Sequence, residues 1–242
     1  MKSFSLDGKK ALVTGANTGI GQAIAVAMGA AGAHVVCAGR RSCAETVARI
    51  ASAEELILDF ADPMAATGLF AGAGYDILVN NAGTIRRADS VNYAEEDWDA
   101  VMDVNAKALF FTCQAFARAA LSDGRPAKII NIASMLSFQG GIRVPAYTAS
   151  KHAVQGITRI LANEWAAKGI NVNAIAPGYI ETNNTEALRN DPDRSKAILD
   201  RIPAGRWGAP QDIADTAVFL AAPASNYVHG ETIAVDGGWL AR

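Results

Sequence analysis

Seven short runs rich in Val and Ile recur along this 242-residue chain, each followed by a stretch of helical pattern. They lie at Ala11–Thr14, His34–Ala38, Glu55–Leu58, Asp76–Val79, Lys128–Ile132, Ile170–Ala174 and Thr232–Val235. Runs this short and this uniformly apolar suit strands buried on both faces, and strands that alternate with helices must cross over in parallel. The expected fold class is α/β. A single Rossmann-type, doubly wound parallel sheet of about seven strands would carry helices on both faces, at residues 21–31, 42–52, 63–72, 95–121, 146–168 and 210–221. Half of the residues are hydrophobic and 19% are charged, enough to fill such a core. No repeat or linker divides the chain, so residues 1–242 are expected to form one dinucleotide-binding and catalytic domain.

Residues 183–206 depart from this pattern. Nine of these 24 residues are charged, twice the chain average, which suits a flap over a site at about 183–208.

The net charge of −2 offers nothing to nucleic acid or to an anionic membrane. The first ten residues lack the apolar core of a signal peptide, and the run near Leu109–Leu121 is broken by Gln114 and Arg118. Cys37, Cys43 and Cys113 form no CxxC pair, which suits reduced thiols in the cytoplasm. The three histidines (His34, His152, His229) have no metal-ligand spacing, so no metal is expected.

Two constellations carry chemistry. Thr14-Gly15-Ala16-Asn17-Thr18-Gly19-Ile20-Gly21 follows the first strand and opens the first helix. Its glycines would let the backbone approach a pyrophosphate seated on the helix N-terminus. The second strand ends in Gly39-Arg40-Arg41 rather than a carboxylate. Two guanidiniums suit a 2′-phosphate, so NADP(H) is favoured over NAD(H). Asp59, closing the third strand, could accept from an adenine amino group, and Asn80-Asn81-Ala82-Gly83 forms a small-residue turn after the fourth.

The second constellation is Ser134 with Tyr147 and Lys151. Tyr147 and Lys151 stand four apart and so share a helix face. An ammonium beside a phenol should pull its pKa below the usual value of about 10. A serine hydroxyl could hold the carbonyl oxygen that the phenol protonates, which is acid–base chemistry for interconverting a ketone and an alcohol. Around this group lie Arg86, Arg87, Arg143, Gln139, Asn183 and Asn184. Guanidiniums suit a carboxylate and amides suit sugar hydroxyls, so an anionic sugar is the expected substrate. Trp207 and Trp239 read as packing or interface residues.

The glycine turn, Asn80–Gly83, Asn105, Ser134, Tyr147-xxx-Lys151 and Pro177-Gly178 occur in the order seen in short-chain dehydrogenases/reductases, and the resemblance spans essentially the whole chain. Thr84–Arg87, Ile130–Pro145, Ala176–Thr185, Ile202–Gly208 and Asp236–Arg242 further resemble the 2-dehydro-3-deoxy-D-gluconate 5-dehydrogenase group of that family, also named 2-deoxy-D-gluconate 3-dehydrogenases. The resemblance implies an NAD(P)-dependent oxidoreductase acting on a deoxy keto sugar acid in the breakdown of pectin-type uronates. It makes Tyr147 the proton donor or acceptor, and Ser134 the holder of the substrate oxygen. Lys151 grips the nicotinamide ribose, and Asn105 serves a water-linked proton relay. Thr182 would bind the carboxamide. Phe60, Asn81, Ala82, Gly83, Pro177, Gly178 and Ile180 would line the cofactor, with Tyr179 near the substrate. A homotetramer is also implied, with the 95–121 and 146–168 helices at one interface and the last strand at another. The chain departs from the group between the second and third strands, where the connection is short and Gly39-Arg40-Arg41 replaces a more neutral turn. Two other readings stay open: a reductase of 3-oxoacyl thioesters or polyols, and a catalytically silent dinucleotide sensor, which would be expected to lack the Tyr or the Lys.

Overall fold

The structure, a computed structural model, describes residues 2–242, except that the side chain of Asn184 lies outside the described residues. All seven expected strands form. They are β1 (Lys10–Thr14), β2 (His34–Gly39), β3 (Ala53–Ile57), β4 (Ile77–Asn80), β5 (Ala127–Ile132), β6 (Ile170–Pro177) and β7 (Thr232–Val235). They make one sheet in the order β3-β2-β1-β4-β5-β6-β7, and every pairing is parallel. The order reverses between β1 and β4, so a crevice opens there at the carboxyl ends of the strands.

Strand alternation divides the core between the two faces. Leu12, Leu78, Ile129 and Val172 point to one side, where they meet Phe70, Phe116, Leu161 and Trp165. Val13, Ile77, Val79, Ile130 and Ile175 point to the other, against Ile24, Met28, Ile213 and Leu220. The helices are α1 (Gly19–Ala30), α2 (Ala44–Val47), α3 (Glu95–Met102), α4 (Leu109–Ser122), α5 (Pro145–Trp165), α6 (Glu186–Arg189), α7 (Pro192–Leu199) and α8 (Pro210–Ala221), of which α1, α4, α5 and α8 supply those side chains, Phe70 excepted.

Three helix expectations are corrected. Residues 42–52 give only the four-residue α2. Residues 63–72 give no helix but a chain of turns closed by bonds such as Ala65 N–H to Asp62 O and Leu69 N–H to Ala66 O. Gly68 interrupts this segment, and Gly72 and Gly74 follow with φ of +67° and +69°, a geometry that ends a right-handed helix. Phe70 still reaches the core, edge-on to Phe116 and Tyr75 at 5.6 Å each. The cover over β3 is correspondingly thin, and Ile57 is 59% exposed. The 95–121 helix is also not uniform, because a π-helical stretch, Asp103–Ala108, separates α3 from α4.

The 183–208 segment contains α6 and α7, joined to a small apolar cluster of Met135, Ile202 and Trp239. Among the described residues, no helix is long and apolar enough to cross a membrane.

Candidate active site

The glycine turn is locked from below. Thr14 Oγ1 accepts from the backbone N–H groups of Asn81 and Ala82, at 2.9 Å each. The Asn81 side-chain amide donates to the carbonyls of Thr14 (2.9 Å) and Gly15 (3.2 Å). Two neighbouring strand ends are thereby stapled together, and Asn81 spends its amide on the fold. Gly21 has no room for a side chain, since a Cβ there would stand 2.2 Å from the Gly15 carbonyl oxygen. Gly15 and Gly19 adopt φ of +64° and +59°, a region that glycine enters without the strain a side chain brings. Thr18 precedes α1 without capping it through its side chain. The first N–H groups of α1 are left for an external acceptor, the arrangement that receives a pyrophosphate.

The outer wall of the turn is α2. Thr46 Oγ1 donates to the Ala16 carbonyl at 2.8 Å and accepts from Gln22 Nε2 at 3.0 Å. The Asn17 side chain faces Gly39, where a Cβ would meet Asn17 Oδ1 at 3.7 Å. Arg40 and Arg41 are exposed at the end of β2 and make no ion pair among the described residues. Glu55 braces the bend they occupy, accepting from Cys43 N–H and from Ser42, and these bonds hold its carboxyl below the usual range. Asp59 is exposed two residues beyond β3 and accepts from Ala61 N–H at 3.0 Å. The Phe60 side chain is buried and belongs to the same core cluster as Phe70.

The floor of the crevice is polar and almost fully paired. The buried Asn105 sits in the π-helical stretch, a local distortion that frequently marks functional sites. Its Oδ1 accepts from Thr84 N–H at 2.8 Å, and its Nδ2 donates to Thr84 O (2.9 Å) and Ser150 Oγ (3.1 Å). Beneath it Asn80 Nδ2 donates to Asn131 Oδ1 at 2.9 Å, and Asn131 Nδ2 to Thr158 Oγ1 at 3.0 Å. This core network escaped the sequence reading, although asparagines inside otherwise apolar strands are a visible signal for one.

Ser134, Tyr147 and Lys151 converge. Ser134 Oγ accepts from Leu136 N–H at 3.1 Å and lies against the Tyr147 hydroxyl, easing its ionisation. Lys151 Nζ stands 5.5 Å from the centre of the Tyr147 ring and donates to the Ile132 carbonyl at 2.6 Å. The expected lowering of the phenol's pKa is not the net result. Burial pushes Tyr147 above its ordinary value, outweighing Ser134 and the Arg87 guanidinium, both of which favour the phenolate. Lys151 is itself desolvated, and burial lowers its pKa to about 8. His152 points away, its Nδ1 3.0 Å from the Thr148 carbonyl oxygen.

The three arginines separate clearly. Arg86 pairs with Asp97 at 3.3 Å and donates to Thr84 Oγ1 at 3.1 Å. Arg143 pairs with Asp89 at 3.0 Å and has φ of +64°, the one positive φ among described non-glycine residues. Arg87 has no acid partner among the described residues, and its charge acts on the Tyr147 phenol.

Gln139 Oε1 accepts from Trp239 Nε1 at 3.4 Å. Tyr179 sits edge-on between Trp207 (5.4 Å) and Trp239 (4.8 Å), so both tryptophans pack as expected. At the far wall, β6 ends in Pro177, and Gly178 lies so close to Asp236 that a Cβ would meet its Cα at 2.5 Å. Ile180 is buried, and its backbone bridges to Gly208. Thr182 touches the glycine turn, its methyl 3.3 Å from where a Cβ on Gly19 would stand. Asn183 is exposed.

A family model described as enoyl-(acyl carrier protein) reductase matches residues 15–240. The 2-dehydro-3-deoxy-D-gluconate 5-dehydrogenase of Dickeya dadantii is 56% identical over 251 aligned positions, covering 100% of this chain and 99% of that protein. The chain belongs to the short-chain dehydrogenase/reductase family. It is therefore an oxidoreductase of a family that uses NAD(P). A crystal structure from Agrobacterium tumefaciens, provisionally assigned as a 2-deoxy-D-gluconate 3-dehydrogenase and holding NADP, superposes with a TM-score of 0.99 at 69% identity, covering both chains fully. A gluconate 5-dehydrogenase from Burkholderia cenocepacia, solved with NADP and tartrate, gives 0.92 at 37% identity, covering 100% of this chain and 98% of that one. The full-length superposition extends this likeness to the whole sheet.

Proposed function

We propose that this enzyme interconverts a ketone and a secondary alcohol on a deoxy keto sugar acid, as a 2-dehydro-3-deoxy-D-gluconate 5-dehydrogenase does, with NADP(H) as cofactor. The observation that carries the substrate class is Arg87. Of the three arginines near Tyr147, it alone has a guanidinium not already committed to a protein carboxylate. We assign it the substrate carboxylate, while Arg86 and Arg143 brace the surrounding loops. The name of the Dickeya relative and the tartrate in the Burkholderia structure, itself a small hydroxy acid, point the same way. Nothing in this polar surround suits an acyl chain, and the convergence of Ser134, Tyr147 and Lys151 argues against a silent sensor.

The nicotinamide, when bound, exchanges hydride with the reacting carbon. Ser134 holds the substrate oxygen, and Tyr147, kept neutral by burial, delivers the proton to it in ketone reduction. In alcohol oxidation the same residue must act as the phenolate. Lys151 carries the replacement proton, and Asn105 fixes the Thr84 loop against Ser150 one turn from Tyr147. Arg40 and Arg41 meet the 2′-phosphate, and Asp59 keeps one carboxylate oxygen for adenine. Residues 183–208 act as the flap that closes over the substrate.

We further read the protein as a cytoplasmic homotetramer built through α4, α5 and β7. Leu121 and Ile160 are exposed on those helices, and Thr148 Oγ1 and Gln155 Nε2 of α5 are buried without partners. The test of function is turnover of NADPH and NADH with a panel of keto sugar acids, acyl thioesters and polyols, alongside Arg87→Ala. A sugar acid should be preferred, and Arg87→Ala should raise its KM ~10–100-fold, the worth of a hydrogen bond to a charged group. An unchanged KM would remove Arg87 from the substrate site.

A further inference from the structure

The flap holds one half-buried arginine whose Nε the fold has buried without supplying an anion. Arg189 closes α6 and donates from Nη2 to the Thr182 carbonyl at 3.3 Å. Its Nε is buried with no hydrogen-bond partner, and no carboxylate reaches it within ion-pair distance among the described residues. The other flap arginines are differently placed. Arg201 stacks on Trp239 at 3.9 Å, Arg206 makes two bonds to Asp212 at 2.7 and 3.0 Å, and Arg194 is exposed. A buried, unpaired guanidinium N–H is unfavourable until an acceptor arrives.

Position identifies the acceptor. Arg189 is tethered to Thr182, whose methyl lies 3.3 Å from a Cβ built on Gly19. Gly19 opens α1, whose first N–H groups lack a side-chain cap and face the crevice. The Arg189 guanidinium is thus tied to the residue that borders a turn shaped for a diphosphate.

We propose that Arg189 binds a pyrophosphate oxygen of the dinucleotide and so ties the flap to the bound cofactor. This rests on the reading that the crevice takes NADP(H), and not on the identity of the sugar acid. Planar N–H pairs suit phosphate oxygens, and the Nε–H left over in the protein supplies one of the two donors.

The experiment is direct binding of NADP+ and NADPH to the full-length protein, followed by calorimetry, for the wild type and Arg189→Ala, Arg189→Gln and Arg189→Lys. The Ala and Gln variants should bind both forms ~10-fold more weakly, with Lys recovering part of the loss. Binding of 2′-AMP, which has the 2′-phosphate but no pyrophosphate, should be unchanged. NADP+ should also slow tryptic cleavage after Arg194 and Lys196 in the wild type and fail to do so in Arg189→Gln. Unchanged NADP+ affinity in the Ala variant, or equal weakening of 2′-AMP and NADP+, would overturn this role. Failure of the wild type to bind NADP(H) would instead overturn the reading beneath it.

Discussion

The floor of the crevice and its flap are built by opposite rules. On the floor, polar side chains answer one another inside the protein: Thr14 with Asn81 and Ala82, Asn105 with Thr84 and Ser150, Asn131 with Asn80 and Thr158. In the flap, two short helices rest on a small aromatic and aliphatic cluster, and Arg189 Nε has no partner. A floor that satisfies itself holds its geometry before any ligand arrives, as proton transfer to a fixed oxygen demands. A flap with cations to spare can take its final order from the ligand. Floor substitutions should therefore damage binding or rate whatever the substrate, whereas those in the loops and flap should each weaken the grip on one ligand.

The sharpest way to break this contrast is Gly21→Ala. The added Cβ would collide with a backbone carbonyl, so the turn must open. We expect a loss of ~3 kcal/mol in stability together with loss of dinucleotide binding, read by thermal melts and calorimetry. A fully active Gly21→Ala enzyme would mean that the turn is not rigid.

The pH profile tests the floor's charges. Tyr147 sits above its ordinary pKa of about 10, so the phenolate required for alcohol oxidation should accumulate steadily with rising pH. Oxidation should climb through the alkaline range. Lys151 loses its proton near pH 8, so ketone reduction should fall above that point. Steady-state rates in both directions would check this, and an oxidation plateau beginning below pH 8 would contradict it.

The smallest effect is expected at Arg143→Gly. The substitution relieves a left-handed backbone worth about 1 kcal/mol and sacrifices a surface ion pair worth no more, so stability should change little. KM for the sugar acid should stay put. A large rise in KM would return Arg143 to the substrate and weaken the assignment of Arg87.

Much of the floor was legible in the sequence, because its demands are local. The strands announced themselves as unbroken apolar runs, the glycine turn by its place after β1, and Tyr147 with Lys151 by helical spacing. What failed to read was governed by partners distant in sequence. Residues 63–72 have an apolar pattern that suits a helix, but their glycines turn the chain, and Phe70 satisfies the core without one. The three arginines look alike in sequence, and only the folded positions of Asp97 and Asp89 tell them apart. The net direction of the Tyr147 shift does not follow from spacing, which reveals neighbours but not desolvation, and here desolvation exceeds the opposing effects of Ser134 and Arg87.

The central claim is that Tyr147 moves the proton on a keto sugar acid. It is tested most directly by single-turnover reduction of a 3-deoxy keto uronate with NADPH in wild type and Tyr147→Phe, with NADPH affinity measured alongside. The account predicts a rate ~1,000-fold lower in Tyr147→Phe, within the range for losing a positioned acid, and unchanged NADPH binding. Wild-type turnover surviving in Tyr147→Phe would contradict it.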